Sequence, residues 1–134
     1  MQSTRQRNTA AETLVRSLLH RMGLRYRIHI CPIKQLHRKA DIVFPRLKIA
    51  VYIDGCFWHG CPIHATWPKA NAEFWRNKIE SNQRRDLDTN ERLREAGWTV
   101  IRAWEHEEAE EAALRIAEAV QMQRALRISG RPIR

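Results

Sequence analysis

Apolar and polar positions in this chain follow two rhythms, one with the period of a helix and one with the period of a strand. Leu14, Val15, Leu18, Leu19 and Met22 recur at intervals of three and four residues, which places them on one helical face. Thr9-Ala-Ala-Glu12 ahead of them has capping-box spacing, and Gly23 supplies the stop. Residues 25–30 alternate as a half-buried strand does. Residues 40–44 and 48–53 are apolar runs on either side of Pro45-Arg46, which predicts two strands around a turn. The second run is apolar on both faces and so predicts a central strand.

Residues 54–70 carry Gly55, Gly60, Pro62 and Pro68 and read as a loop. A polar helix is predicted over 71–95, ended by Gly97, then a strand over 98–104. A last helix over 107–127 follows, with Ala112, Ile116, Ala119 and Val120 on one face. The predicted order is α-β-β-β-α-β-α, with no internal repeat and no linker. It implies a single α/β domain over residues 1–134, with a mixed sheet between helices in three layers.

Charge adds a partner to this picture. The 134 residues include 24 Lys and Arg against 15 Asp and Glu, a net charge of +9. The basic residues crowd positions 5–48 and 76–102, whereas 105–111 is acidic. Such a balance favours a polyanion, through phosphate neutralisation and counterion release, although charge alone also fits a merely soluble basic protein. No N-terminal apolar run resembles a signal, and no stretch approaches the length of a membrane span, so a cytoplasmic location and no membrane partner are expected. The three cysteines, Cys31, Cys56 and Cys61, are an odd number, unsuited to a closed disulfide framework. In a reducing compartment, Cys clustered with His reads better as a metal site.

Three constellations carry candidate chemistry. Asp41 opens one predicted strand, and Ile53-Asp54 closes the next. Adjacent strand ends can supply a carboxylate and a backbone carbonyl, the hard oxygen donors Mg²⁺ requires; an Asp that merely opens a strand is the plainer alternative. Cys56-x4-Cys61-x2-His64, with His106 beyond the next strand, offers four ligands for a structural, tetrahedral Zn²⁺. Buried cysteines and solvated histidines are the alternative there. His59, inside the same loop, has the chemistry of a general base, and Phe57 and Trp58 either pack on the core or stack on bases. On the long helix, Trp75, Lys78, Asn82 and Asp86 share one face, which is either a solvated polar face or a binding face. Arg76, Arg84, Arg85 and Arg92 on neighbouring faces suit phosphates.

Taken together, Thr9-Ala-Ala-Glu12, Lys39-Ala-Asp41, Asp54-Gly-Cys-Phe-Trp-His59, Glu73-Phe-Trp75-x2-Lys78-Ile79-x2-Asn82-x3-Asp86 and Gly97-Trp98 resemble the very-short-patch repair (Vsr) DNA mismatch endonucleases, in order and spacing over residues 9–106. The resemblance implies a restriction-endonuclease-like fold and a monomeric enzyme that nicks one strand of double-stranded DNA beside a T:G mismatch, with Mg²⁺ as catalytic cofactor and Zn²⁺ as structural one. It implies that Asp41 and the Ile53 carbonyl bind Mg²⁺, that His59 is the catalytic histidine and Asp86 its partner, and that Glu12 engages the metal's hydration shell. Phe57, Trp58 and Trp75 match the aromatics that wedge into DNA, with Lys78 and Asn82 on the DNA-facing helix. The sequence departs from the family in three places. Eight residues precede Thr9, where the family has a longer arm. Asp54 stands where the family often has His. The zinc set is permuted, with His64 displaced by one position and His106 in place of a Cys. A nuclease of the same fold without mismatch specificity, restriction-like or modification-dependent, and a non-catalytic zinc-stabilised DNA-binding module are the other readings.

Overall fold

The computed structural model describes residues 10–55 and 71–128. Among them the elements are α1 (Ala10–Arg21), β1 (Arg27–Ile30), β2 (Ala40–Phe44), β3 (Ile49–Asp54), α2 (Ala72–Glu95), β4 (Thr99–Trp104) and α3 (Ala109–Ile128). The order is the one the hydrophobic pattern predicts.

Two helices end by the same device. Gly23 and Gly97 have φ of 86° and 89°, a conformation open to glycine without a Cβ penalty. After α1, the Gly23 N–H donates to the His20 carbonyl and the Leu24 N–H to that of Leu19, at 3.0 and 3.1 Å. After α2, Gly97 donates to Arg94 at 3.0 Å and Trp98 to Leu93 at 2.9 Å. Each pair is a Schellman closure, and each brings its flanking apolar residues, Leu19 with Leu24 and Leu93 with Trp98, into one core cluster.

The strands form one four-stranded sheet in the order β1-β2-β3-β4. β1 and β2 pair antiparallel, as do β2 and β3, while β3 and β4 run parallel from Ile49↔Thr99 to Asp54↔Trp104. A parallel pair needs a crossover, and α2 supplies it. Every residue of β2 and β3 is buried, as expected for strands covered on both faces. One face packs Ile42, Val51 and Ile53 against Val15 and Leu19 of α1 and Ile116 and Val120 of α3. The other packs Val43, Ala50 and Tyr52 against Leu93 of α2 and Leu36. Helices therefore cover the sheet from both sides, and the described residues form a mixed α/β architecture. No helix among them is long and apolar enough to cross a membrane.

Candidate active site

The chemistry gathers where β2 begins and β3 ends. The β2–β3 ladder runs from Phe44↔Ile49 to Ile42↔Val51. Just past it, Asp41 Oδ2 accepts the Ile53 N–H at 2.7 Å, so a side-chain oxygen takes the place of a ladder carbonyl. That bond fixes the carboxylate at only 6% exposure. In an extended strand the N–H and C=O of one residue point the same way, so the Ile53 carbonyl faces the Asp41 side of β3.

Glu12, in the first turn of α1, brings a second carboxylate to this spot and is 3% exposed. Its Oε2 accepts from Arg16 Nη1 at 2.9 Å and lies 2.5 Å from His29 Nε2. Facing a buried carboxylate, that imidazole nitrogen is the donor. His29 sits in β1, where the register Ile28↔Ile42 and Ile30↔Ala40 sets it opposite Asp41. Its φ is 53°, a left-handed conformation inside a strand that costs an L-residue about 1–2 kcal/mol. One ligand atom each from Glu12, His29 and Asp41 lies within 4.8 Å of the others. Two buried carboxylates side by side are costly unless cationic partners join them, and Arg16 supplies one to Glu12. Their oxygen donors, with the Ile53 carbonyl at hand, fit a hard divalent cation.

No spacing motif marks His29 in the sequence. It occupies one position of an alternating strand, and only its left-handed backbone and its register with Asp41 make it part of the site. Asp54 follows a different logic. Its two oxygens accept from Arg102 Nη1 at 2.9 and 3.1 Å, and Arg102 Nε donates to Asn90 at 2.8 Å. Arg102 Nη1 also lies 3.6 Å from Asp86. Asp54 is thus held by an arginine from β4, which ties the two strand ends together. The same guanidinium lies 4.3 Å from the ring centroid of Tyr52. Burial, chiefly, pushes the Tyr52 phenol up to about 12, and its hydroxyl has no hydrogen-bond partner.

The predicted face of α2 exists. Trp75, Asn82 and Asp86 are half-buried on a stripe with Ile79, Thr89 and Leu93, while Lys78 is exposed. Trp75 meets the exposed Phe74 edge-to-face, with ring centroids 5.1 Å apart. His106 is exposed and stacks on Trp104, centroids 6.4 Å apart. It lines a crevice with Ile53 and with Ala10 and Leu14 of α1, so the predicted zinc-binding histidine lies on the carboxylate side of the molecule. Cys56, Phe57, Trp58, His59, Cys61 and His64 fall outside the described residues.

Comparisons with known proteins point to one family. A family model described as "DNA mismatch endonuclease Vsr" matches residues 1–64, which include Glu12, His29, Asp41 and His59. The chain is 41% identical over 122 residues to the type II nicking enzyme V.NaeI of Lentzea aerocolonigenes, covering 90% of this chain and 74% of that one. It is 41% identical over 116 residues to the type II nicking enzyme V.XorIIP of Xanthomonas oryzae, covering 85% and 82%. With the DNA mismatch endonuclease Vsr of Escherichia coli it shares 35% identity over 107 residues, covering 78% and 66%. Similarity of this extent places the chain in the Vsr family of DNA endonucleases.

Proposed function

We propose that this protein hydrolyses one strand of double-stranded DNA beside a T:G mismatch in a Mg²⁺-dependent reaction, on a restriction-endonuclease-like scaffold. The observation that carries this reading is the buried Glu12–His29–Asp41 cluster at the β2–β3 strand ends, in a chain of this family. Asp41 and the Ile53 carbonyl would hold the cation, with Glu12 beside them. Bound there, a divalent cation supplies Lewis-acid stabilisation of charge developing on the scissile phosphate. His59 accepts the proton of the attacking water at an imidazole nitrogen, and Asp86 on α2 orients that ring. Trp75, with Phe57 and Trp58, inserts at the weakened base step, where opening a wobble pair costs less than opening a matched one. Lys78 and Asn82 line the same helix face, and the net charge of +9 supplies phosphate affinity. The E. coli relative, named a mismatch endonuclease, supports the T:G substrate. The two relatives at 41% identity are named type II nicking enzymes, which supports strand nicking under either this reading or the second one, a nuclease of the same fold without mismatch specificity.

The deciding assay compares nicking of T:G and matched duplexes with and without Mg²⁺. Asp41→Ala and His59→Ala are expected to abolish nicking while leaving duplex affinity within about tenfold, because affinity comes from phosphate contacts. Near-normal turnover in either variant would remove that residue from the mechanism.

A structural zinc held by Cys56, Cys61, His64 and His106 belongs to the same proposal. The imidazole of His106 is exposed to solvent at the surface and suits such a site, since Zn²⁺ takes His as readily as Cys. Elemental analysis of protein never exposed to chelator is expected to find one zinc per chain, and its absence would refute the site.

A further inference from the structure

We infer that His29 is a positioning residue for the metal centre: its imidazole locks the Glu12 carboxylate beside Asp41, and so raises both cation affinity and turnover. The inference rests on the proposed metal-dependent nicking but has its own readout.

Three independent features single out His29. Its Nε2 donates to Glu12 Oε2 across 17 positions of sequence, tying β1 to the first turn of α1. The register of β1 on β2 puts it opposite Asp41. Its backbone is left-handed within a strand, at φ 53°, where the pattern of alternation calls for an extended residue. A strained backbone persists only where surrounding structure over-determines it, and such strain concentrates at functional sites.

The geometry favours positioning over direct ligation. At 2.5 Å, Nε2 and Oε2 are closer together than two atoms bound to one octahedral cation stand, for donor distances near 2.1 Å separate neighbouring ligands by about 3 Å. The contact is a charge-assisted hydrogen bond. Arg16 Nη1, one turn along α1, donates to the same oxygen at 2.9 Å. The two donors hold the carboxylate in one orientation, against repulsion from the neighbouring Asp41. Partners of this kind around a metal site typically change metal affinity or activity by about 10–100-fold when removed.

The test uses the full chain and two substitutions. His29→Gly removes the imidazole and relieves the left-handed strain, so the fold is retained. His29→Gln restores an N–H donor at nearly the same reach. Binding of Mn²⁺ alone is followed by the paramagnetic resonance of the free ion, and nicking of a T:G duplex is followed at saturating Mg²⁺. His29→Gly is expected to weaken Mn²⁺ binding about tenfold or more and to lower kcat by a similar factor, with KM for the duplex and Tm unchanged. His29→Gln is expected to recover most of both losses. Unchanged Mn²⁺ affinity in His29→Gly, or a loss that His29→Gln does not relieve, would overturn the inference. Wild-type protein that binds Mn²⁺ in this His29-dependent way and yet nicks no duplex would overturn the proposed function and leave the positioning role standing.

Discussion

At the scale of single residues, the site is a set of buried polar groups whose neighbours decide what each can do. Asp41 and Asp54 lie at adjacent strand ends and are equally buried, yet they differ in partner. Asp41 takes a backbone N–H, whereas Asp54 takes an arginine. Tyr52 is the opposite case, a buried hydroxyl with nothing to bond, beneath the same Arg102. Its folded pKa of about 12 lies above the ordinary 10, so the native state holds a proton that the unfolded chain releases between those values. Stability is therefore expected to fall as pH rises from about 10 to 12, by roughly 2–3 kcal/mol for this group. Tyr52→Phe is expected to remove that part of the loss and to leave neutral-pH stability equal or about 1 kcal/mol higher, since an unsatisfied hydroxyl is lost. Urea denaturation of both proteins at pH 7 and at several pH values above 9 checks it, and a parallel fall in the two would refute the assignment.

At the scale of elements, α2 does two jobs along one stripe. Its C-terminal end is structural, with Leu93 fully buried beneath the sheet and the Gly97 closure turning the chain into β4. Its middle is polar, with Asn82, Asp86 and Asn90 half-buried and the last two beside Arg102 of β4. Leu93→Ala is expected to cost about 2–5 kcal/mol, whereas Ala at the exposed Leu87 should change stability by less than about 0.5 kcal/mol. A Cβ at Gly97 meets nothing within 4 Å, so Gly97→Ala is expected to cost only the left-handed backbone penalty of about 1–2 kcal/mol. Chemical denaturation midpoints measure all three, and a Leu93→Ala cost below 1 kcal/mol would contradict the packing described. On the face towards solvent, Arg38 from the segment before β2 holds Asp88 at 2.9 Å and, with Arg92, lowers its carboxyl pKa.

At the scale of the whole molecule, the proposed mismatch preference assigns Trp75 of α2 to an aromatic wedge. Trp75→Ala is expected to lose roughly 1–3 kcal/mol of stacking, mostly on T:G duplexes, compressing the ratio of mismatched to matched cleavage. Replacing an arginine that touches only phosphate, such as the exposed Arg84, is expected to weaken both substrates alike and to flatten the salt dependence of binding. Parallel nicking rates on the two duplexes, with duplex affinity measured at several salt concentrations, separate these effects. Equal losses on both substrates for Trp75→Ala would mean that the indole packs in the fold and does not read the mismatch.

Periodicity alone determined the element order, the central place of β3 and both glycine stops, because a helix stripe, a strand buried on both faces and a left-handed cap each depend on residues adjacent in sequence. The stripe from Trp75 to Asp86 was legible for the same reason: residues three and four apart on a helix share a face. His29 was not legible, since nothing within β1 distinguishes it from an ordinary alternating residue. Its role comes from a register with β2 and from a helix 17 positions earlier. The pairing of Asp54 with Arg102, 48 positions away, was equally invisible in the sequence. Electrostatic roles fall off over a few ångströms in space, not in sequence, and only the tertiary structure decides which charges share that distance.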